Sequence, residues 1–351
     1  MATLQAQDIA DVVSSTLREL NKGKLSQVAQ SLQRYEVVSR WFRRDQRMIT
    51  GGYGIQQAVM TKLDENAADH VGLFEEDTIN VADLLVLMQV DFVHAQTKWA
   101  YDVREMMMNR SSAKIVDLVK ARETGAFIKL ADKLEAAAWA DRATTNTKDP
   151  NGIPHYCVYN ATTGFNGSVP TGHTTVAAID PTVHTNWKNY TAQYTDVTKG
   201  DLIKLMRTAH RKIQFFSPLT TSGDTAARLA DRYRIYLNET TISSIEDLGT
   251  AQNDNLGADI ASMDGRMVFK GHPMIWIPYL DDNAASGSDP VYMIDTKSIF
   301  PAILAGNFFR QTGPKEAAKQ HNVMEVFKDI TYQYVCINRR ALALIATADP
   351  F

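Results

Sequence analysis

The stretch from Ser111 to Trp139 constrains the fold most, because its pattern is that of one long amphipathic helix. A short hydroxyl at Ser111 or Ser112 can accept the unpaired amide protons of the first turn. The apolar residues recur at spacings of three, four, seven and eight, which places them on one face. They are Ile115, Leu118, Val119, Phe127, Leu130, Leu134 and Ala138. At about 1.5 Å per residue the helix is ~40 Å long, so we predict that it crosses a whole domain.

Composition is typical of a globular protein and excludes several function classes. The 351 residues are enough for roughly two domains. A net charge of -3 provides no electrostatic basis for avid nucleic-acid binding. No apolar run approaches the roughly 18 residues of a membrane span, so no membrane partner is expected. Cys157 and Cys336 are the only cysteines and lie far apart, which predicts buried, reduced thiols.

Local catalytic and metal-binding motifs are absent from the sequence. It contains no G-x-S-x-G elbow, H-E-x-x-H pair, Walker lysine or G-x-G-x-x-G turn after a strand. His155, His173 and His184 match no zinc spacing, so exposed loop histidines are favoured over a metal site. Asp281-Asp282 favours an acidic surface turn over a cation site. We predict no catalytic residues, no cofactor and no metal, with an α+β enzyme lacking local motifs as an alternative.

The N-terminal third predicts a helical arm followed by a projecting hairpin. Residues 1–36 carry apolar stripes but are too polar to hold a core of their own. Residues 37–102 contain two extended limbs, at 55–63 and 81–93, joined by an acidic tip, which predicts a hairpin without a further sheet partner. Four arginines surround Trp41 and Phe42, a pattern more typical of a solvated or interface face than of a nucleic-acid site. They are Arg40, Arg43, Arg44 and Arg47.

The rest of the chain predicts one irregular segment followed by regular elements. Residues 144–196 are rich in Thr, Asn, Gly and Pro, which indicates a long loop or an ordered insertion. A helix is predicted at 199–216, followed by an α/β rhythm that ends near residue 320. The run at 323–346 alternates like a single half-buried antiparallel strand.

The C-terminal half resembles the major capsid protein family of tailed bacteriophages, whose architecture is the Hong Kong ninety-seven fold. The matching order is strand RIYLNE, helix TTISSIEDL, segment MVFKGHPMIWIPYL, strand VYMID and a closing run ending INRRALALIA. The family's F-x-G-x-P pattern falls on Phe269, Gly271 and Pro273. The N-terminal order of arm, hairpin and long helix agrees with the same family.

This resemblance implies an α+β fold with named parts. They are an N-terminal arm (1–36), an extended loop with flanking strands (37–102), a peripheral domain (103–198 and 321–351) and an axial domain (199–320). The helix at 111–139 would be the spine of the peripheral domain, and 144–196 would be an insertion. Leu130, Leu134, Gly271 and Pro273 would be structural positions. Contacts between subunits would involve Trp41, Arg44, Tyr53, Ile55, Lys62, Val86 and Phe92.

The implied function is structural. The chain would assemble as pentamers and hexamers into an icosahedral phage head, made in the host cytoplasm, around non-specifically contacted double-stranded DNA. A portal protein is an implied partner. Because Met1 stands only a few residues before the arm, we expect a separate scaffolding protein, or none, rather than a cleaved leader. An encapsulin-like bacterial nanocompartment shell is the alternative.

Covalent cross-linking is not expected. Some members of the family join subunits by an isopeptide bond between a loop lysine and a neighbour's asparagine, with a glutamate taking the proton. Lys62 and Asn338 would be the pair here. No glutamate follows Asn338, and Glu325 lies too far along the strand to be its neighbour in sequence.

Overall fold

The computed structural model describes residues 32–64, 68, 70, 83–108, 112–214, 232–253, 267–285, 287–318 and 320–351. Nearly all of the predicted N-terminal arm, the hairpin tip and the cap position Ser111 lie outside these residues. The described chain forms two compact units. The first holds His94–Leu134 and Gly306–Thr331, and the second holds Arg34–Val93, Glu135–Ala305 and Tyr332–Phe351.

The described chain contains both α-helices and β-strands. The α-helices are α1 (Val103–Met108), α2 (Ser112–Trp139), α3 (Ile153–Tyr156), α4 (Leu202–Ile213), α5 (Glu239–Asn253) and α6 (Pro278–Asn283). A π-helical turn spans Val37–Trp41 and a 3-10 turn spans Arg339–Ala341. The first strands are β1 (Arg47–Ile49), β2 (Gly54–Met60), β3 (Leu85–Asp91), β4 (Val93–Asp102), β5 (Gly164–Gly167), β6 (Asn189–Gln193) and β7 (Tyr233–Leu237). The later strands are β8 (Val268–Phe269), β9 (His272–Trp276), β10 (Val291–Asp295), β11 (Ile299–Leu304), β12 (Arg310–Glu316), β13 (Val323–Cys336) and β14 (Ala343–Ala346).

The predicted long helix is confirmed over its described residues as α2, which spans Ser112–Trp139. Leu130 and Leu134 are buried, whereas Lys129 on the opposite face is exposed. The side chains at Ile115 and Leu118 lie outside the described residues. The four-residue spacing of the two leucines therefore marks the buried stripe of the helix.

We expect Leu134→Ala to lower the free energy of unfolding by ~2–5 kcal/mol, because it removes a fully buried side chain and leaves a cavity. Lys129→Ala, on the exposed face of the same helix, should cost less than ~0.5 kcal/mol. Urea unfolding of the unassembled subunit measures both values. Equal losses at the two positions would show that the buried face of the helix is assigned wrongly.

In the first unit, α2 packs on strands. The Thr97 hydroxyl on β4 donates to the Ala126 carbonyl at 3.0 Å, and the Lys328 ammonium on β13 lies 3.5 Å from the centre of the Phe127 ring. The N-terminal half of β13 pairs antiparallel with β12, and β4 pairs with β13 as well. A hydrogen bond and a cation–π contact thus hold α2 on strands β4 and β13.

In the second unit a seven-stranded mixed sheet has the order β5-β6-β14-β10-β7-β9-β8. The β6–β14 and β7–β9 pairs are parallel, and the remaining pairs are antiparallel. All five residues of β10 are buried, as expected for a central strand covered on both faces. The sheet combines strands from the predicted insertion, the predicted axial domain and the closing segment.

Helix α4 covers one face of this sheet. Leu202, Met206, Ala209 and Ile213 recur at spacings of four, three and four, and all are fully buried. They share one apolar cluster with Ile235, Met293 and Ile345 of the strands. The amphipathic pattern that predicts this helix thus also determines which face packs on the sheet.

Two predictions about the second unit are wrong. Residues 144–196 are not a surface insertion, because β6 is an inner strand of the sheet and residues 150–157 are buried throughout. The closing run is not one strand. The C-terminal half of β13 pairs with β11, which in turn pairs with β1; the chain then turns at Arg339–Ala341 and enters the seven-stranded sheet as β14.

The segment MVFKGHPMIWIPYL forms a tight hairpin and then a helix. Lys270 and Gly271 both have positive φ, at 50° and 81°, as a two-residue hairpin turn between β8 and β9 requires. Pro273 lies in β9 opposite Val268. The predicted second strand ends at Trp276, because Pro278 begins α6, where its missing amide proton costs nothing.

Candidate assembly surface

Strands β2 and β3 form a separate two-stranded antiparallel sheet, which confirms the predicted hairpin over its described residues. The register pairs Gly54 with Asp91 and Met60 with Leu85. Because side chains alternate across a strand, odd and even positions of β3 lie on opposite faces. Met88 and Val90 are buried on the inner face. The hairpin therefore packs one face on its own chain.

The outer face of the hairpin presents large apolar side chains to solvent. Met60, Leu85 and Leu87 are 59%, 59% and 62% exposed. They project on one side because Met60 pairs directly with Leu85 and Leu87 follows two residues along β3. We call these three residues the outer apolar patch. A cluster of exposed large apolar residues on a rigid element is a feature of interaction surfaces.

The hairpin is held by residues 177–186 both near its base, at Gln89, and at the end nearer its tip, at Thr61. The Thr61 hydroxyl lies 3.0 Å from His184 Nδ1, and the Asn186 amide donates to the Thr61 carbonyl at 2.9 Å. The Gln89 backbone N–H donates to the Ala177 carbonyl at 3.0 Å. These contacts give the outer apolar patch a fixed orientation relative to the second unit.

The residues predicted to contact other subunits have different environments. Arg44 and Lys62 are exposed, and Tyr53 is 87% exposed. Ile55 and Val86 lie half-buried on the inner face with Met88 and Val90, and Phe92 is also half-buried. Of the predicted contact residues in β2 and β3, Ile55 and Val86 thus lie on the inner face, whereas the exposed side chains of Met60, Leu85 and Leu87 lie on the outer face.

Trp41 requires a correction, because it lies in the core of its own chain. It is 1% exposed, and its indole N–H donates to the Tyr236 hydroxyl at 2.9 Å. Ring centroids of neighbouring aromatic side chains lie 5.0 to 6.4 Å apart around it. The aromatic cluster consists of Trp41, Phe42, Trp139, Tyr236, Tyr292, Tyr332 and Tyr334. Trp41 is therefore a packing residue of the subunit.

Glu135 is a buried carboxyl beside this cluster. The indole N–H of Trp139 donates to one carboxyl oxygen at 3.0 Å, and the backbone N–H of Val37 donates to the other at 2.9 Å. Burial raises the pKa of Glu135 from 4.5 to about 7, because the two donors offset only part of the desolvation of the charged form. The carboxyl fastens the π-helical turn at Val37–Trp41 to the end of α2.

Glu135 should make the subunit less stable as pH rises from about 4.5 to about 7. In that range the folded chain keeps a proton that the unfolded chain releases, so stability falls with pH and levels off above the folded pKa. Glu135→Gln removes this slope. The stability of the wild type relative to the variant should drop by roughly 2–3 kcal/mol across the range. Urea unfolding at both ends of the range measures it; a pH-independent difference would contradict the raised pKa.

Arg339 is a fully buried cation that joins the closing segment to residues 144–196. Its guanidinium donates to four backbone carbonyls and one side-chain oxygen at 2.8 to 3.3 Å. The acceptors are the carbonyls of Tyr156, Gly167, Ser168 and Trp187 and Oδ1 of Asn189. Burial lowers the pKa of Arg339 to about 10, and the side chain remains charged at neutral pH. One side chain thus joins the end of α3, the end of β5 and the start of β6.

The sequence predicts exposed loop histidines, and this prediction is wrong. His155 is 3% exposed, and His173 and His184 are half-buried. The side chains of His155 and His173 lie close to that of Asp141, although the three residues are far apart in the sequence. Sequence spacing missed this group because its three members come from separate turns.

Other predicted polar positions have structural partners. Asp281 accepts hydrogen bonds from the Trp276 indole at 2.6 Å and the Glu239 backbone N–H at 2.7 Å, which holds the first turn of α5. The Trp187 indole N–H donates to the Val176 carbonyl at 3.0 Å, as expected for a loop anchor. Cys157 and Cys336 are buried free thiols, as predicted. No helix among the described residues has the length and apolarity needed to cross a membrane.

No family model and no curated protein matches the sequence. Solved structures do match. The cyanophage A-1(L) capsid asymmetric unit aligns with a TM-score of 0.61 at 12% identity, covering 93% of this chain and 96% of that chain. The capsid of Myoviridae phage XM1 aligns with a TM-score of 0.55 at 9% identity, covering 99% of each chain. The chain has the Hong Kong ninety-seven fold.

An encapsulin also shares the Hong Kong ninety-seven fold with this chain. The SrpI encapsulin from Synechococcus elongatus aligns with a TM-score of 0.52 at 9% identity, covering 96% of this chain and 95% of that chain. The α+β class and the capsid-type fold predicted from the sequence are therefore confirmed. Each of these alignments extends over nearly the whole length of both chains.

Proposed function

We propose that the protein is a major capsid protein of a tailed phage. In this proposal it assembles as pentamers and hexamers into an icosahedral head that encloses double-stranded DNA, with a portal protein and a separate scaffolding protein as partners. It is a structural protein of the virion, put together in the host cytoplasm. The observation that carries the proposal is the capsid fold over nearly the full chain, since the phage capsids are matched from end to end.

The outer apolar patch supports assembly as the role of this fold. Leaving Met60, Leu85 and Leu87 exposed is unfavourable, and burying each in an interface contributes about 1.5–3 kcal/mol. Each subunit has one patch on a hairpin that contacts the rest of its unit through Thr61 and Gln89, so the patch is suited to lie over the next copy in a ring. Head-to-tail contacts of this kind close into rings when the rotation between subunits permits.

The near balance of basic and acidic residues supports a shell that encloses DNA without recognising the DNA sequence. The chain has 37 basic and 40 acidic residues, so it lacks the strong positive charge that drives tight DNA binding. Arg43 and Arg44 are exposed beside the buried Trp41 and are suited to weak phosphate contacts. We therefore propose that the shell holds DNA by confinement and contacts it non-specifically.

Negative-stain electron microscopy of the purified protein tests the proposal. We expect closed shells of one size when the protein is expressed with its scaffolding protein, and nuclease-protected double-stranded DNA in shells from phage lysates. Small closed shells that form without other phage proteins and take up a cargo enzyme would favour the encapsulin-like alternative. A stable monomer that forms no shell under any of these conditions would contradict both.

We expect the assembled shell to remain free of covalent cross-links. Asn338 lies at the turn before Arg339–Ala341, and its side-chain oxygen accepts a hydrogen bond from the Arg340 backbone N–H at 3.1 Å. No glutamate that could take the proton from the attacking lysine follows Asn338 in the sequence. Boiled, detergent-denatured shells should give one band near 39.1 kDa. A ladder of larger bands that disappears in Lys62→Ala would show that the prediction is wrong.

A further inference from the structure

Three potential metal ligands from separate turns meet near the end of α2. Asp141 lies two residues beyond the helix, His155 lies in α3, and His173 lies in the turn that follows β5. One ligand atom of each lies within 4.8 Å of the other two. The two imidazole rings are nearly perpendicular, with centroids 4.9 Å apart.

Two atoms of this group are buried without a hydrogen-bond partner. His155 Nδ1 and Asp141 Oδ1 make no hydrogen bond in the described part of the chain. They lie 3.8 Å from each other, which is beyond hydrogen-bond distance. Buried polar atoms in native proteins are nearly always satisfied by a protein group, a water or an ion. A shared partner between the two atoms would satisfy both.

His173 is oriented as a metal-bound histidine usually is. Its Nε2 lies 2.8 Å from the Arg142 backbone carbonyl. A carbonyl oxygen only accepts hydrogen bonds, so Nε2 carries the proton and Nδ1 keeps its lone pair. Metal-bound histidines commonly donate their second N–H to a carbonyl in this way, which fixes the tautomer and the ring orientation.

We propose that Asp141, His155 and His173 bind a Zn²⁺ ion. Two imidazole nitrogens and one carboxylate oxygen form a ligand set that zinc favours, whereas magnesium and calcium prefer oxygen ligands alone. Atoms bound to one tetrahedral zinc ion at ~2 Å lie ~3.3 Å apart, so the group contracts by up to ~1.5 Å on binding. A water completes the tetrahedron. The ion joins the segment after α2 to α3 and to the turn that follows β5.

Metal analysis of the unassembled, untagged subunit tests this site. After incubation with excess zinc sulfate and buffer exchange, we expect about one zinc per chain by mass spectrometry. His173→Gln and Asp141→Asn should each weaken zinc binding at least ~10-fold. Cobalt substitution should give the visible absorption of a tetrahedral site, and a chelator should lower the melting temperature of the wild type but not that of His173→Gln or Asp141→Asn.

His184→Gln is the matched control, because it removes another half-buried histidine from the same segment. It should retain zinc at the wild-type level. Zinc that does not stay bound to the wild type after buffer exchange would overturn the proposal. Equal zinc content in His173→Gln, Asp141→Asn and the wild type would overturn it too, because it would show binding elsewhere on the surface. Folding of each variant is verified by circular dichroism.

Discussion

Leu85→Glu combined with Leu87→Glu should abolish shell formation while leaving the subunit folded. The two side chains are 59% and 62% exposed on the outer face of β3, so the change places charge where the subunit already meets water. In the assembled shell the same positions would lie buried, where two carboxylates are strongly unfavourable. Loss of leucine burial alone removes ~3–6 kcal/mol at each contact, a hundred-fold to ten-thousand-fold loss in association.

The matched control keeps apolar side chains at both positions. Leu85→Met with Leu87→Met preserves the outer apolar patch and should give closed shells in wild-type yield. Sedimentation velocity and electron microscopy measure assembly, and thermal unfolding of the free subunit measures folding. Shells formed by the glutamate variant in wild-type yield would show that the patch is not an assembly contact. A large drop in melting temperature of the free subunit would show that the outer face packs within its own chain.

Deletion of the whole hairpin would disturb folding as well as assembly. Met88 and Val90 lie at 0% and 4% exposure, so a deletion through β3 would remove part of the core of the second unit. The sequence could not separate the two faces of this limb. Residues 84–90 read LLVLMQV, and an apolar run without alternation contains no information about which side is buried. The pairing of β3 with β2 and the contacts of Thr61 and Gln89 determine which face of β3 is buried.

Regular elements with a strong period were predictable, and α2 and α4 confirm this. Their apolar residues repeat at the helical period over several turns, and tertiary contacts then act on a face that the pattern already defines. The structure of the closing run was harder to predict. Residues 323–346 are apolar on both sides of Asn338, so no local signal shows that β13 and β14 belong to different sheets.

Residues 144–196 show why buried irregular structure escapes sequence patterns. Their core positions are held by polar contacts across long sequence distances, such as Arg339 with Trp187, which are 152 residues apart. Such polar contacts produce no periodic pattern of apolar residues in the sequence. The same reason hides the group of Asp141, His155 and His173, since its ligand spacing is formed by the fold and not by the local sequence.

Arg339→Ala should destabilise the subunit by ~3–5 kcal/mol, the largest loss we expect from a single substitution outside the apolar core. The change removes all five donors at once and leaves buried carbonyls of Tyr156, Ser168 and Trp187 without partners. Each unsatisfied buried group costs roughly 1–3 kcal/mol, although the costs are not additive. Arg339→Lys should recover little, because an ammonium lacks the planar fork that reaches acceptors on several sides.

Arg340→Ala is the control for this prediction, since it removes the same kind of side chain one residue later. Its guanidinium donates to Asn186 Oδ1 at 3.2 Å near the surface and lies 4.5 Å from the Phe165 ring, so its loss should cost less than ~1 kcal/mol. Urea unfolding followed by tryptophan fluorescence reports both variants. In Arg339→Ala, limited proteolysis should cut first between residues 157 and 189, because that segment loses its central contact. Similar stability of the two variants, or first cleavage elsewhere, would show that residues 144–196 are held together by something other than Arg339.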